Sequence, residues 1–187
     1  KSQIIDSNAF GLNYEETVKK ILSYNPRYMG ITSPTMLISA TAKLSQMIKR
    51  LNPGIVTIVG GPHITAVPDE TMKMYSDIDI GVLGEGEITL VELINALDKR
   101  IDIGNVDGII FRDGAELKKT AQREFIKDID ILPFPAWDML PDLLAHYQQS
   151  AARINRIPNI SLVSSRGCPF QCIFCARNVF GNTTRTH

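Results

Sequence analysis

The stretch Ile55-Val56-Thr57-Ile58-Val59-Gly60-Gly61-Pro62-His63 decides the fold that this sequence predicts. Its first five residues are all β-branched, and such an unbroken run is typical of a strand that a parallel sheet buries on both faces. A glycine pair and a proline follow at once and end the strand. The stretch therefore predicts a central parallel strand with a sharp turn at its carboxyl end.

Helical and strand-like segments alternate on both sides of this strand. Apolar residues spaced three and four apart predict helices over residues 14–24, 36–51, 69–75 and 88–97. Short apolar runs predict further strands over residues 3–6, 28–32, 78–83 and 106–111. An Asp-Gly turn at residues 113–114 predicts a hairpin after the last of them. The alternation predicts an α/β fold, with a doubly wound, flavodoxin-like parallel sheet and helices on both faces.

Three strand ends carry small and polar residues at the edge where open parallel sheets bind their ligands. They are Ser33-Pro34-Thr35, Gly60-Gly61-Pro62-His63 and Gly84-Glu85-Gly86-Glu87. Glycine lets a ligand approach the backbone closely, and a hydroxyl group can anchor a polar tail. The residues by themselves predict a nucleotide-like ligand, and the alternative is that they form the tight βα turns of any such sheet.

All three cysteines lie in one short loop with the spacing Cys168-x3-Cys172-x2-Cys175. An odd number of thiols cannot all pair as disulfides. A structural zinc site would require a fourth ligand, for which only His187 lies downstream, and a ferredoxin-type cluster would require a fourth cysteine. Three thiolates can hold three corners of a [4Fe–4S] cluster and leave one iron open to a small molecule. We therefore predict that these three cysteines are iron ligands.

With Phe174 directly before its last cysteine, this loop resembles the signature loop of radical S-adenosylmethionine (SAM) enzymes. The order of the strand ends, the segment Pro133-Phe134-Pro135-Ala136-Trp137 and the cysteine loop resembles cobalamin-dependent radical SAM enzymes, which include magnesium-protoporphyrin ester cyclase-like proteins and radical SAM methyltransferases. The resemblance implies three cofactors: cobalamin, SAM and a [4Fe–4S] cluster. It implies reductive cleavage of SAM for radical methyl transfer or cyclisation. It also implies a small-molecule substrate and an electron donor such as flavodoxin or ferredoxin.

The cobalamin-binding residues that the resemblance implies share a position at the strand ends. They are Ser33, Thr35, Gly60, Gly61, Pro62, His63, Gly84, Glu85 and Gly86. The two hydroxyl groups would face the nucleotide tail, and the glycine pair would let that tail lie against the sheet. Residues 6–11 have the spacing of the family's Asp-x-His-x-x-Gly segment with Asn8 in place of the histidine, so the axial ligation of cobalt stays open.

The resemblance also implies a division of the chain into three parts. Residues 1–125 would form the cobalamin-binding domain without its first strand, and residues 126–157 a linker rich in proline and aromatic residues. Residues 158–187 would supply the first strand and the cluster loop of a truncated radical SAM (β/α) barrel. Because a complete barrel is much longer, we expect this chain alone to be inactive. The alternatives are a non-catalytic cobalamin- or nucleotide-binding module with a metal-stabilised C-terminal loop, and a redox- or zinc-sensing interaction domain.

The composition is that of an ordinary globular protein, with 44% apolar and 21% charged residues. Its formal net charge of zero provides no electrostatic footprint for nucleic acid or an anionic membrane. No apolar run reaches membrane-spanning length, and no signal peptide opens the sequence. We therefore predict no nucleic-acid or membrane partner, and the clustered thiols predict a cytoplasmic location.

Overall fold

A computed structural model describes residues 2–140, 147, 163–170, 172–175, 179 and 184–186. The chain divides into two compact units: Lys1–Asn25 with Asp130–Ser164, and Pro26–Ile129 with Ser165–His187. The domain boundaries predicted after residues 125 and 157 stay predictions. Residues 159–162 of the strand predicted before the cysteine loop lie outside the described residues.

The described N-terminal part of the first unit contains one helix and no strand. Helix α1 spans Tyr14–Ser23, as predicted. It begins with a capping box, in which the Asn13 side chain accepts from the Glu16 N–H at 2.9 Å and the Glu16 carboxylate accepts from the Asn13 N–H at 2.9 Å. The strand predicted at residues 3–6 is wrong. In the described part of the chain, residues 2–6 belong to no sheet and therefore have no ladder of strand hydrogen bonds.

The second unit is built on a five-stranded sheet whose strands are arranged in sequence order. The strands are β1 Tyr28–Thr32, β2 Val56–Gly60, β3 Ile80–Val82, β4 Ile109–Asp113 and β5 Glu116–Lys119. The first three strands are parallel. The helices between them are α2 Ile38–Leu51, α3 Pro62–Ala66, α4 Pro68–Met74 and α5 Gly86–Lys99. Within the described ranges, no helix combines the length and the apolar character that a membrane crossing requires.

Helices cover both faces of this sheet, which confirms the doubly wound α/β fold. Ile58 of β2 packs in one cluster with Leu93 of α5. Its neighbour Val59 packs in a second cluster with Ile64 of α3 and Met72 of α4. Because successive side chains of a strand point to opposite faces, a strand buried on both sides needs the continuous apolar run that β2 contains.

The last two strands differ from the predicted parallel arrangement, since β4 is antiparallel to β3 and β5 is antiparallel to β4. After α5, residues 100–108 return the chain to the carboxyl end of β3, where the Leu83 N–H donates to the Gly108 carbonyl at 2.8 Å. Strand β4 therefore enters the sheet from that end and runs back. The predicted hairpin is present, and Gly114 in its turn has a φ of +62°.

Candidate functional site

The carboxyl ends of β1 and β2 lie side by side at one edge of the sheet, as the sequence predicts. We call this edge, with residues 32–35, 60–63 and 84–86, the ledge. Thr32 pairs with Gly60 at the end of the two strands. Beyond this pair, the Ser33 N–H donates to the Gly60 carbonyl at 2.9 Å, and the His63 N–H donates to the Ser33 carbonyl at 3.2 Å. The His63 Nδ1 atom also lies 3.2 Å from the Thr35 hydroxyl oxygen. Hydrogen bonds thus hold the two strand ends together.

Gly61 makes this close approach possible. Its φ is +98°, and a Cβ atom there would lie 2.8 Å from the Thr32 Oγ1 atom and 2.9 Å from the Ser33 backbone nitrogen. At Gly60 the nearest atoms to such a Cβ belong to Val82, at 3.9 Å. Contacts within the protein therefore require glycine at position 61, whereas a Cβ atom would fit at Gly60.

The two hydroxyl residues predicted to face a ligand differ in exposure. Ser33 is fully buried. Its hydroxyl accepts from the Thr41 hydroxyl at 3.1 Å and donates to the Pro34 carbonyl at 3.2 Å. Thr35 is exposed at the ledge. A ligand at this edge would meet the Thr35 hydroxyl first, and the ligand contacts of both residues stay predictions.

The end of β3 adds open space to the ledge. The Gly84 N–H donates to the Thr65 hydroxyl oxygen at 3.0 Å, which ties this strand end to α3. The φ of Gly84 is +72°, and no heavy atom lies within 4 Å of the position that a Cβ would take. In the turn that follows β1, Met36 is 87% exposed and Leu37 is 51% exposed. Open backbone and exposed apolar side chains fit a large ligand with apolar faces, such as cobalamin.

Glu85 lies in the same β3–α5 turn, but groups of the chain itself already bind its carboxylate. The Oε1 atom accepts from Arg166 at 3.3 Å, and the Oε2 atom accepts from Arg185 at 2.9 Å and from the Ile126 N–H at 2.8 Å. The Glu85 side chain is only 13% exposed. Sequence reasoning missed this cluster because the two arginines lie 81 and 100 residues away along the chain.

The net effect of these surroundings is to lower the pKa of Glu85. Burial raises this pKa, but the hydrogen bonds from Arg185, from the Ile126 N–H and from Arg166 together outweigh burial. A pKa that is lower in the folded chain than in the unfolded chain means that the ionised carboxylate stabilises the fold. This contribution is fully present above the unfolded pKa of about 4.3. It is lost as the pH falls through the lower folded pKa.

We therefore expect the Glu85→Gln variant to be less stable than the wild type by an amount that depends on pH. The difference in the free energy of unfolding should be largest above about pH 5 and should shrink below about pH 4. Urea unfolding over this range measures it. The control is Glu124→Gln, because Glu124 pairs with Lys127 and the two side chains are 83% and 87% exposed, so its loss should change stability little at any pH. A Glu85→Gln difference that is independent of pH would contradict the prediction.

The cysteine loop directly follows strand β6, Ser165–Arg166, which pairs with strand β7, Arg185–Thr186. All three cysteines are free, Cys168 half-buried and the other two exposed. The Cys175 N–H donates to the Cys172 carbonyl at 3.2 Å, so a turn joins these two residues. In the described part of the chain, which includes all three cysteines, no three metal-ligating side chains already converge. Three accessible thiols are a donor set that suits an iron–sulfur cluster, because thiolates are the usual ligands of such clusters.

Comparison with known protein families identifies the domain that contains the ledge. Residues 2–94 match the B12 binding domain family. This part of the chain is a B12 binding domain. The match includes the first two strand ends of the ledge and extends through Gly84, Glu85 and Gly86 at the third. The ledge is therefore the carboxyl edge of a B12 binding domain.

The relatives of this B12 binding domain are longer proteins. The chain is 31% identical over 186 residues to an uncharacterized methyltransferase of Pyrococcus horikoshii, a match that covers 99% of this chain and 39% of that protein. It is 32% identical over 178 residues to the anaerobic magnesium-protoporphyrin IX monomethyl ester cyclase of Rubrivivax gelatinosus, covering 92% of this chain and 31% of that one. The chain thus spans less than half the length of these relatives.

A solved structure shares the fold. OxsB, a cobalamin-dependent S-adenosylmethionine radical enzyme solved with aqua-cobalamin and S-adenosylmethionine bound, superposes with a TM-score of 0.78 at 23% identity. The match covers 97% of this chain and 24% of OxsB. The predicted relation to cobalamin-dependent radical SAM enzymes is confirmed by the domain match, the named relatives and this fold.

Proposed function

We propose that this chain is part of a cobalamin-dependent radical SAM enzyme. Cobalamin would bind at the carboxyl edge of the sheet, and Cys168, Cys172 and Cys175 would hold a [4Fe–4S] cluster that binds SAM. The observation that carries the proposal is the open ledge at Gly84, in the compact unit that also contains the strand before the cysteine loop. The match to B12 binding domains and the named relatives support it.

The residues of the ledge would have separate tasks. The backbone at Gly60 and Gly84 would allow close approach of the cofactor, and the exposed Thr35 hydroxyl would meet a polar part of it. Met36 and Leu37 would cover apolar parts. Gly61 and Ser33 would serve indirectly, because their contacts hold the strand ends in place beneath the ligand.

The cysteine loop would hold and shield the second metal site. When bound, the cluster would supply the electron that cleaves SAM, and cobalamin would supply methyl-group or radical chemistry. Phe170 and Phe174 are 69% and 89% exposed, and they would exclude water from the cluster. We propose a small-molecule substrate, methyl transfer or cyclisation as the reaction, and an electron donor such as flavodoxin or ferredoxin. A reduced cluster of this kind suits the cytoplasm.

Titration with hydroxocobalamin, followed by absorbance, tests the ligand of the ledge. We expect the wild-type chain to retain cobalamin, and we expect Gly84→Leu to raise the Kd by at least about tenfold because the side chain would fill the open space. Wild-type protein that retains no cobalt would remove cobalamin from the proposal.

Gly114→Leu is a matched control for this titration. Gly114 has a similar φ of +62° and also has no heavy atom within 4 Å of a Cβ. It lies in the β4–β5 turn, beyond the amino end of β3 and therefore at the opposite edge of the sheet. Both variants should lose about 1–2 kcal/mol to backbone strain, but Gly114→Leu should bind cobalamin as the wild type does. Equal affinities of the two variants would contradict a ligand at Gly84.

A further inference from the structure

Glu85 connects the edge of the sheet to the base of the cysteine loop. The two arginines that donate to its carboxylate belong to β6 and β7, and Arg166 is the direct cross-strand partner of Arg185. Each of these strands is only two residues long. We call this strand pair the β6–β7 ribbon, and all three cysteines lie between its two strands in the sequence.

The two facing arginines of the β6–β7 ribbon are expected to need an acidic partner. Like charges directly opposite each other in a ladder are destabilising, and an isolated two-stranded ribbon is marginal even without them. The Arg185 side chain is 9% exposed, so its charge is largely removed from water. Glu85 reaches both guanidinium groups, at 3.3 Å from Arg166 and 2.9 Å from Arg185. The Glu85 carboxylate therefore contacts both positive charges, and Glu87, which contacts Arg166 at 2.6 Å, supplies the second negative charge that balances them.

The other contacts of Glu85 point to the same task. It occupies the position before the first residue of α5, and its side chain makes no capping hydrogen bond to that helix. The Ile126 N–H donates to its Oε2 atom, and the Ile126 carbonyl accepts from Arg185 at 2.7 Å. The Phe125 ring centre lies 5.0 Å from the Arg185 guanidinium. The carboxylate thus binds the ribbon and the segment that holds the ribbon.

We propose that Glu85 is a positioning residue that anchors the β6–β7 ribbon to the β3–α5 turn and thereby sets where the cysteine loop leaves the sheet. The anchoring depends only on the contacts described above. Its meaning for catalysis rests on the proposed function, in which the loop carries the cluster and the turn lines the cobalamin site.

Hydrogen exchange of backbone amides in the metal-free chain tests the anchor. In Glu85→Gln we expect the amides of residues 165–166 and 185–186 to exchange at least about tenfold faster, while those of β2 keep their protection. The matched control is Glu92→Gln, which removes a carboxylate of α5 that pairs with a different arginine, Arg123. It should leave the exchange of the ribbon unchanged. Unchanged ribbon exchange in Glu85→Gln, or equal acceleration in β2, would overturn the proposal.

A double variant separates charge compensation from mere packing. Adding Arg166→Gln to Glu85→Gln removes one of the two opposing charges and leaves the contacts of Arg185 with Ile126 and Phe125 in place, so we expect the double variant to recover part of the lost ribbon protection. If Glu85 only filled space, the double variant would recover no protection. A double variant without recovery would therefore refute the charge mechanism. Iron analysis of reconstituted wild-type chain tests the proposed function separately. If the wild-type chain binds no iron but Glu85→Gln accelerates ribbon exchange, the Glu85 proposal stands and the cluster proposal fails. If the chain binds iron but ribbon exchange is unchanged in Glu85→Gln, the cluster proposal stands and the Glu85 proposal fails.

Discussion

Replacing Gly61 by alanine is expected to lower the free energy of unfolding by about 3 kcal/mol. The new Cβ would lie 2.8 Å from the Thr32 Oγ1 atom, 2.9 Å from the Ser33 nitrogen and 3.1 Å from the Ser33 oxygen. Two of these atoms are backbone atoms of the ledge, so they cannot move aside without breaking the hydrogen bond from Ser33 to Gly60. The φ of +98° adds strain that any L-residue with a side chain would carry. Urea unfolding followed by circular dichroism measures the loss.

The neighbouring glycine provides the control for this experiment. A Cβ at Gly60 would meet Val82 at 3.9 Å, which is ordinary van der Waals contact. Gly60→Ala should therefore change stability by less than about 1 kcal/mol. If the two alanine variants unfolded at the same urea concentration, the steric account of the ledge would be wrong.

Anaerobic reconstitution with iron and sulfide is expected to give about four irons per chain, and each of the variants Cys168→Ala, Cys172→Ala and Cys175→Ala is expected to hold less than about one. Every thiolate would bind a different iron, so the loss of one leaves two irons without a protein ligand and exposes the cluster. Iron and sulfide analysis measures the content, and electron paramagnetic resonance after reduction identifies the cluster type.

Ile173→Ala is the control for the cysteine variants. This side chain lies in the same loop and is fully exposed, but it offers no ligand to a metal. The variant should therefore keep the iron content of the wild type. One zinc and no iron per wild-type chain would indicate a structural zinc site instead. Cysteine variants with full iron content would place the ligands elsewhere.

Local sequence patterns predicted much of the fold because they encode how one segment is buried. The β-branched run in β2 requires covering on both faces, and Ile58 and Val59 do pack in opposite clusters. The direction of β4 could not be predicted in this way, because a strand has the same pattern whichever way it runs. The return of residues 100–108 to the end of β3 decides that direction.

The sequence predicted the candidate site as a set of strand ends, but it did not predict which of their residues contact the protein itself and which are open to a ligand. A glycine pair at a strand end predicts close approach, yet only the tertiary structure shows that Gly61 is close to Ser33 and that Gly84 is open. In the same way, a serine at a strand end suggests a ligand contact, and burial is what directs the Ser33 hydroxyl to Thr41. Spacing along the chain cannot distinguish a contact with a ligand from a contact with the protein.

By itself the sequence determined the order of strands and helices in the second unit except for helix α3, the edge at which the small residues gather and the set of three thiols, since each depends on residues close together in the chain. Only the tertiary structure decided that Glu85 binds Arg166 and Arg185, which lie 81 and 100 residues away. The position of a carboxylate relative to distant guanidinium groups depends on how the segments pack. No local sequence pattern predicts that position.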